Sequence, residues 1–125
     1  MVGTVKVLAA VESSELGNRR DILVYLPPSY AQGRESYPVL YMQDGQNLFD
    51  EHTSYVGEWR VDEILEELAE EGVEAIVVGV PNMTVARLYE YTPFFEPKFG
   101  GGGASRYLRF LVNTVKPLVD AEFRT

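Results

Sequence analysis

The stretch PVLYMQDGQNLFD, residues 38–50, changes character in its middle. Pro38 to Met42 is apolar on both alternating faces, and it runs straight into Gln43, Asp44, Gly45, Gln46 and Asn47. The apolar half is expected to be a strand buried on both sides, as strands of a helix-covered parallel sheet are. The polar half then falls at that strand's C-terminal end. Asp44 and Asn47 favour an Asx-type turn there, and Gly45 permits close backbone approach.

Downstream, Val61, Ile64, Leu65 and Leu68 recur at helical spacing. Asp62, Glu63, Glu66, Glu67, Glu70 and Glu71 fill the remaining positions up to Gly72, a helix stop. This predicts an amphipathic helix with an acidic, solvent-facing side, not a cation patch. Ala75 to Val80 (AIVVGV) is a second continuous apolar run. Strand, helix and strand from 38 to 80 therefore read as one right-handed βαβ unit.

Upstream, Thr4 to Val11 and Asp21 to Leu26 are β-branched and apolar runs separated by a segment carrying Gly17-Asn18, so residues 4–26 are expected to form an antiparallel hairpin. Pro27-Pro28 ends it. Beyond Val80, residues 81–103 are expected to be a long irregular loop whose Tyr89, Tyr91, Phe94, Phe95 and Phe99 suit a pocket rim or a local apolar cluster. A final helix over 104–121 places Tyr107, Phe110 or Leu111, Thr114 and Leu118 on one side, with Pro117 as a kink. The chain is read as a single domain of the α/β class: three layers, a mixed four-stranded sheet and one helix on each face. The alternation of strand and helix breaks off after that helix, as though a further strand were wanted.

Nineteen acidic against eleven basic side chains give a net charge of −8, which repels nucleic acid and anionic lipid surfaces. No nucleic-acid partner and no membrane association are expected. The 125 residues contain no cysteine, which excludes disulfides, zinc-thiolate sites and a cysteine nucleophile. A start with Lys6 but no long apolar run leads to the expectation of a cytoplasmic protein.

Serine hydrolysis requires a nucleophile, a base, an orienting acid and oxyanion donors. None of Ser13, Ser14, Ser29, Ser36, Ser54 and Ser105 lies in a G-x-S-x-G elbow. Ser105, beside a glycine run at a helix start, reads as an N-cap. His52, the one histidine, sits in a polar segment and reads as a solvated side chain. Asp44, Asp50, Glu51 and His52 match no metal-ligand spacing, and neither metal nor cofactor is expected.

RDILVYLPPSY, YPVLYMQDGQNLFD, EWRVDEILEELAEEG, AIVVGVPN, RLYEYTP and YLRFLVNTVKPLVDAEFRT together resemble the N-terminal half of the putative-esterase branch of α/β-hydrolases, which includes enterochelin-esterase-like and feruloyl esterases. The resemblance implies a partial α/β-hydrolase fold, hydrolysis of a small-molecule carboxylic ester and an oxyanion site at the turn. By this resemblance the Gln46 backbone N–H is an oxyanion donor, Asp44 and Gly45 shape the turn, and Asn47, Tyr91, Phe94 and Phe95 belong to the substrate pocket. Gln43 stands where the family segment has histidine. The family's serine elbow follows a segment like DAEFRT, and its acid and histidine come later still. The chain is accordingly expected to be catalytically incomplete alone, working with a complementary C-terminal half, with strand 38–42 left as an unpaired apolar edge where the nucleophile strand would lie; the alternative is a non-catalytic module that binds a partner or self-associates through residues 38–43. A third, weaker expectation is promiscuous hydrolysis by His52.

Overall fold

The computed structural model describes residues 2–55 and 57–125. Its centre is a four-stranded mixed sheet in the order β1-β2-β4-β3. Strands β1 (Thr4–Ser13) and β2 (Asn18–Leu26) form the expected hairpin, closed by a turn in which the Gly17 N–H donates to the Ser13 carbonyl at 2.8 Å. A bulge between Leu8 and Val11 puts Ala10 at φ 51, and the Asp21 carboxylate accepts its N–H.

Strand β4 (Ile76–Val80) lies between β2, antiparallel, and β3 (Val39–Gln43), parallel, and every one of its residues is buried. Its AIVVGV run is therefore explained by two hydrogen-bonded neighbours and two covered faces. Strand β3 is the sheet's edge, as the resemblance implies, but it is not buried on both sides: Leu40 is 53% exposed.

Two cores flank the sheet. On one face Ile22, Val24, Leu26, Ile76, Val78 and Val80 pack against Tyr107, Phe110, Val115 and Val119. On the other, Tyr25 and Val77 meet Leu48, Phe49 and, from α1 (Val61–Ala69), Val61 and Leu65. The three-layer expectation thus holds, with α1 on one side and the helical segment 104–122 on the other.

Helix α1 ends as foreseen: Gly72 adopts φ 84, and the Val73 N–H returns to the Leu68 carbonyl at 3.0 Å. Its faces match expectation only in part: Val61 and Leu65 pack inward. Asp62 is fully buried and Glu66 half-buried, whereas Ile64 is 50% exposed. The buried Asp62 has a long-range partner, since the Val2 N–H donates to Asp62 Oδ2 at 2.5 Å.

The segment 81–103 is ordered rather than irregular. It contains a 3-10 turn, helix α2 (Arg87–Tyr91) and a short hairpin of β5 (Phe95–Glu96) and β6 (Gly100–Gly101). The last helical segment runs as α3 (Ala104–Phe110), a π-helical turn over Leu111–Val115, and α4 (Lys116–Glu122). That wider turn adds one residue to the repeat. Val115 and Val119 consequently take the buried places expected for Thr114 and Leu118, and the irregularity precedes Pro117. Ser105 is exposed inside α3, whose N-cap is Gly103, so it caps nothing.

Candidate functional site

The turn leaving β3 is built around a strained residue. Asp44 has φ 54 and ψ 47, left-handed for a residue with a side chain, and a single 3-10 turn over Gly45–Asn47 follows. Gly45 is buried against the backbone of β4, and a Cβ there would stand 2.6 Å from the Gly79 carbonyl carbon and 2.7 Å from the Val80 nitrogen. Only glycine fits.

Four donor contacts hold the strained conformation. Arg87 Nε and Nη2 donate to Asp44 Oδ1 and Oδ2 at 3.0 and 2.9 Å, Asn82 Nδ2 to Oδ1 at 2.8 Å, and the Tyr91 hydroxyl to Oδ1 at 3.2 Å. The Arg87 hydrogen bond, followed by those of Asn82 and Tyr91, holds the Asp44 carboxyl below its ordinary pKa against the opposing effect of burial. Asp44 is thus a fixed carboxylate with its lone pairs engaged, suited to shaping a turn rather than to accepting a proton. Its lowered pKa makes a stabilising contribution that is present above the ordinary carboxylate value of about 3.9 and is lost as pH falls through the folded-state value. In Arg87→Ala the Asp44 carboxyl resonance is expected to titrate at higher pH than in the parent, toward that ordinary value. An unchanged titration midpoint would show that Arg87 is not what holds the charge.

The turn's own hydrogen bonds use the Asn47 N–H, to the Asp44 carbonyl at 2.9 Å, and the Leu48 N–H, to the Gly45 carbonyl at 3.3 Å. The Gln46 N–H takes part in neither. Around it, Gln46 Oε1 accepts the Asn82 N–H at 3.1 Å, and the Gln46 carbonyl accepts the Thr53 hydroxyl at 2.6 Å. Asn47 Oδ1 accepts the Tyr55 N–H at 2.9 Å. These contacts aim the turn at a cleft of about 820 Å³ lined by Asp44, Gln46, Asn47, Tyr55, Trp59 and Arg87, among others.

Of the residues singled out from sequence, Asp44, Gly45, Gln46 and Asn47 come together, and Tyr91 stands behind Asp44. Phe94 and Phe95, 82% and 70% exposed on and beside the β5–β6 hairpin, are not among the residues lining this cleft. His52 is exposed, with its N–H bonded to the Asp50 carboxylate. Arg87, Asn82, Thr53 and Trp59 went unrecognised in the sequence. The spacing of Arg87 and Tyr91 within RLYEY carried a usable signal, since residues four apart share one face of a helix.

A buried ion pair ties α2 to the sheet. Arg20 Nη2 lies 2.6 Å from Glu90 Oε2, Nη1 lies 2.9 Å from Oε1, and both side chains are buried. Nη1 also donates to the Pro81 carbonyl at 3.1 Å. Because Glu90 sits between Arg87 and Tyr91 in α2, this pair fixes the helix that grips Asp44.

Residues 13–125 match the model of the family described as "Putative esterase". Among curated proteins the chain is 32% identical over 117 residues to the uncharacterized protein YbbA of Bacillus subtilis (strain 168), covering 89% of this chain and 43% of that one. Among solved structures it is similar to an IroE-like serine hydrolase from Shewanella oneidensis, with a TM-score of 0.77 at 28% identity over 98% of this chain and 40% of that one. The siderophore hydrolase EstB from Aspergillus nidulans shares the fold, with a TM-score of 0.71 at 22% identity, covering 98% and 44% of the two chains. The chain therefore spans less than half the length of these relatives. An Asp-Gly turn locked at the end of a parallel strand, matched along nearly the whole chain by the family model, places this protein in the putative esterase family.

Proposed function

We propose that this chain carries the oxyanion-side half of a serine ester hydrolase acting on small-molecule carboxylic esters. The observation that carries the reading is the Gln46 N–H: it is left out of the turn's own hydrogen bonds, at the C-terminal end of a parallel strand, beside a cleft. Ligands of open α/β sheets bind there. In this reading the developing negative charge of a tetrahedral intermediate accepts the Gln46 N–H, and the rigid Asp44–Arg87 lock keeps that donor from relaxing away. A preorganised donor of this kind contributes about 3 to 4 kcal/mol to an acyl-transfer barrier, but it needs a nucleophile.

The nucleophile, acid and base would come from a second polypeptide segment seated against β3, whose outer edge is open and whose Leu40 is half exposed. The larger size of the relatives and the printed description of one of them as a serine hydrolase support this arrangement. The same edge favours a second reading, a non-catalytic module that pairs β3 with another copy of itself.

A fluorophosphonate probe followed by intact-mass measurement tests the first reading. The chain alone is expected to stay unlabelled at 14.1 kDa, and a complementing segment with a serine elbow is expected to be labelled only in its presence. In that complemented assembly Gln46→Pro, which deletes the backbone donor, is expected to lower kcat by about 10²–10³-fold. An adduct on any serine of this chain, or full activity in Gln46→Pro, would overturn the assignment. A monodisperse dimer without labelling in any mixture would favour the second reading.

A further inference from the structure

The buried Asp62 is one of three carboxylates brought together at the start of α1. Glu58, in the segment before the helix, and Asp62 and Glu63, in its first turn, each place one oxygen within 4.8 Å of the other two. Two oxygens on one calcium ion, each about 2.3 to 2.6 Å from it, stand at most about 5 Å apart, so this spacing admits a shared cation.

Crowded carboxylates alone would be ordinary. Two of these are not ordinarily solvated: Asp62 is 0% exposed, and Asp62 Oδ1 and Glu58 Oε2 are both buried without a hydrogen-bond partner among the described residues. A buried, unpartnered carboxylate oxygen carries a desolvation penalty that a bound cation removes. The bases nearest in sequence do not answer it, since the Arg60 guanidinium pairs with Glu63 and lies mostly in solvent.

We propose that Glu58, Asp62 and Glu63 form a binding site for a hard divalent cation of the calcium type. The donor set is all oxygen, which suits Ca²⁺ and excludes soft metals. Its structural effect follows from its position. The ion clips the segment carrying Trp59 to the start of α1, and Trp59 lines the cleft beside Gln46. The site lies outside the oxyanion turn, so it stands or falls independently of the esterase reading. Its ligands occur at i, i+4 and i+5 across a loop–helix boundary, which is why no linear calcium motif announces it.

Terbium luminescence tests the proposal on the chain as it stands, because Trp59 is its one tryptophan and directly follows Glu58. Excitation of Trp59 is expected to give sensitised Tb³⁺ emission that Ca²⁺ displaces, with a Ca²⁺ dissociation constant of about 10⁻⁴ to 10⁻³ M. Glu58→Gln is expected to weaken Tb³⁺ about tenfold or more, since loss of even an outer partner of a metal site costs about 10–100-fold. Glu63→Gln should act in the same direction, whereas Glu70→Gln, exposed just beyond the helix end, should leave the titration unchanged. Circular dichroism of each variant distinguishes lost ligands from lost fold. Absent emission, emission that Ca²⁺ does not displace, or an unchanged titration in folded Glu58→Gln would overturn the site.

Discussion

Glu90→Ala is expected to destabilise the chain by about 3–5 kcal/mol, read as a shift of the urea midpoint at constant slope. The effect is large because it leaves the Arg20 guanidinium at 2% side-chain exposure with no carboxylate. Arg20 would keep contacts with the Pro81 carbonyl at 3.1 Å and Asn18 Oδ1 at 3.3 Å, which are poor substitutes for an ion. It also packs over Tyr107 and Phe110, at 5.7 and 5.1 Å from their ring centroids, so the orphaned charge would sit inside the main core. Removing both charges together should cost far less, as apolar replacement of a whole buried pair is often near neutral. The combination Arg20→Met with Glu90→Leu is therefore expected to recover most of the loss. If Glu90→Ala unfolded within about 0.5 kcal/mol of the parent, the pair would not be the clamp on α2 described above.

Gly45→Ala comes next in size. A Cβ would meet main-chain atoms of β4 at 2.6 and 2.7 Å, and main chain in the centre of a sheet has no rotamer to yield. The turn must lift off β4 or the β3–β4 pairing must shift, and a cost of about 3 kcal/mol, at the top of the range for overpacking, is expected. The local consequence is as important as the global one. Lifting the turn draws Asp44 away from Asn82 and Arg87, so the amide resonances of Gln46 and Asn82 should move more than those of the hairpin. Gly17→Ala is the informative contrast at the hairpin turn: a Cβ there meets no atom within 4 Å, leaving only the strain of φ 68. Equal midpoints for Gly45→Ala and the parent would mean that the close approach of turn and strand is not required.

What the sequence by itself determined is the part of the structure governed by local periodicity and by chain order. The continuous apolar runs 38–42 and 75–80 specify strands, the period of 61–68 specifies a helix, and a helix between two such strands leaves them parallel in one sheet. Gly45 in a polar segment after an apolar strand marked the turn that the structure builds beside the cleft. The sequence also contained the Arg87–Tyr91 signal, hidden only because an aromatic-rich stretch was read as a loop.

Tertiary structure decided which side of each element faces inward, and it did so through contacts distant in sequence. Asp62 lies inside because a backbone donor sixty residues away reaches it, an interaction no helical wheel contains. Val119 replaces Leu118 in the core because a single π-helical turn shifts the phase, and a turn set by packing leaves no signature in periodicity. Glu90 is buried because Arg20, seventy residues earlier, neutralises it. Local sequence prices a charge as though it faced water; only the folded chain brings the partner that lets the charge be buried.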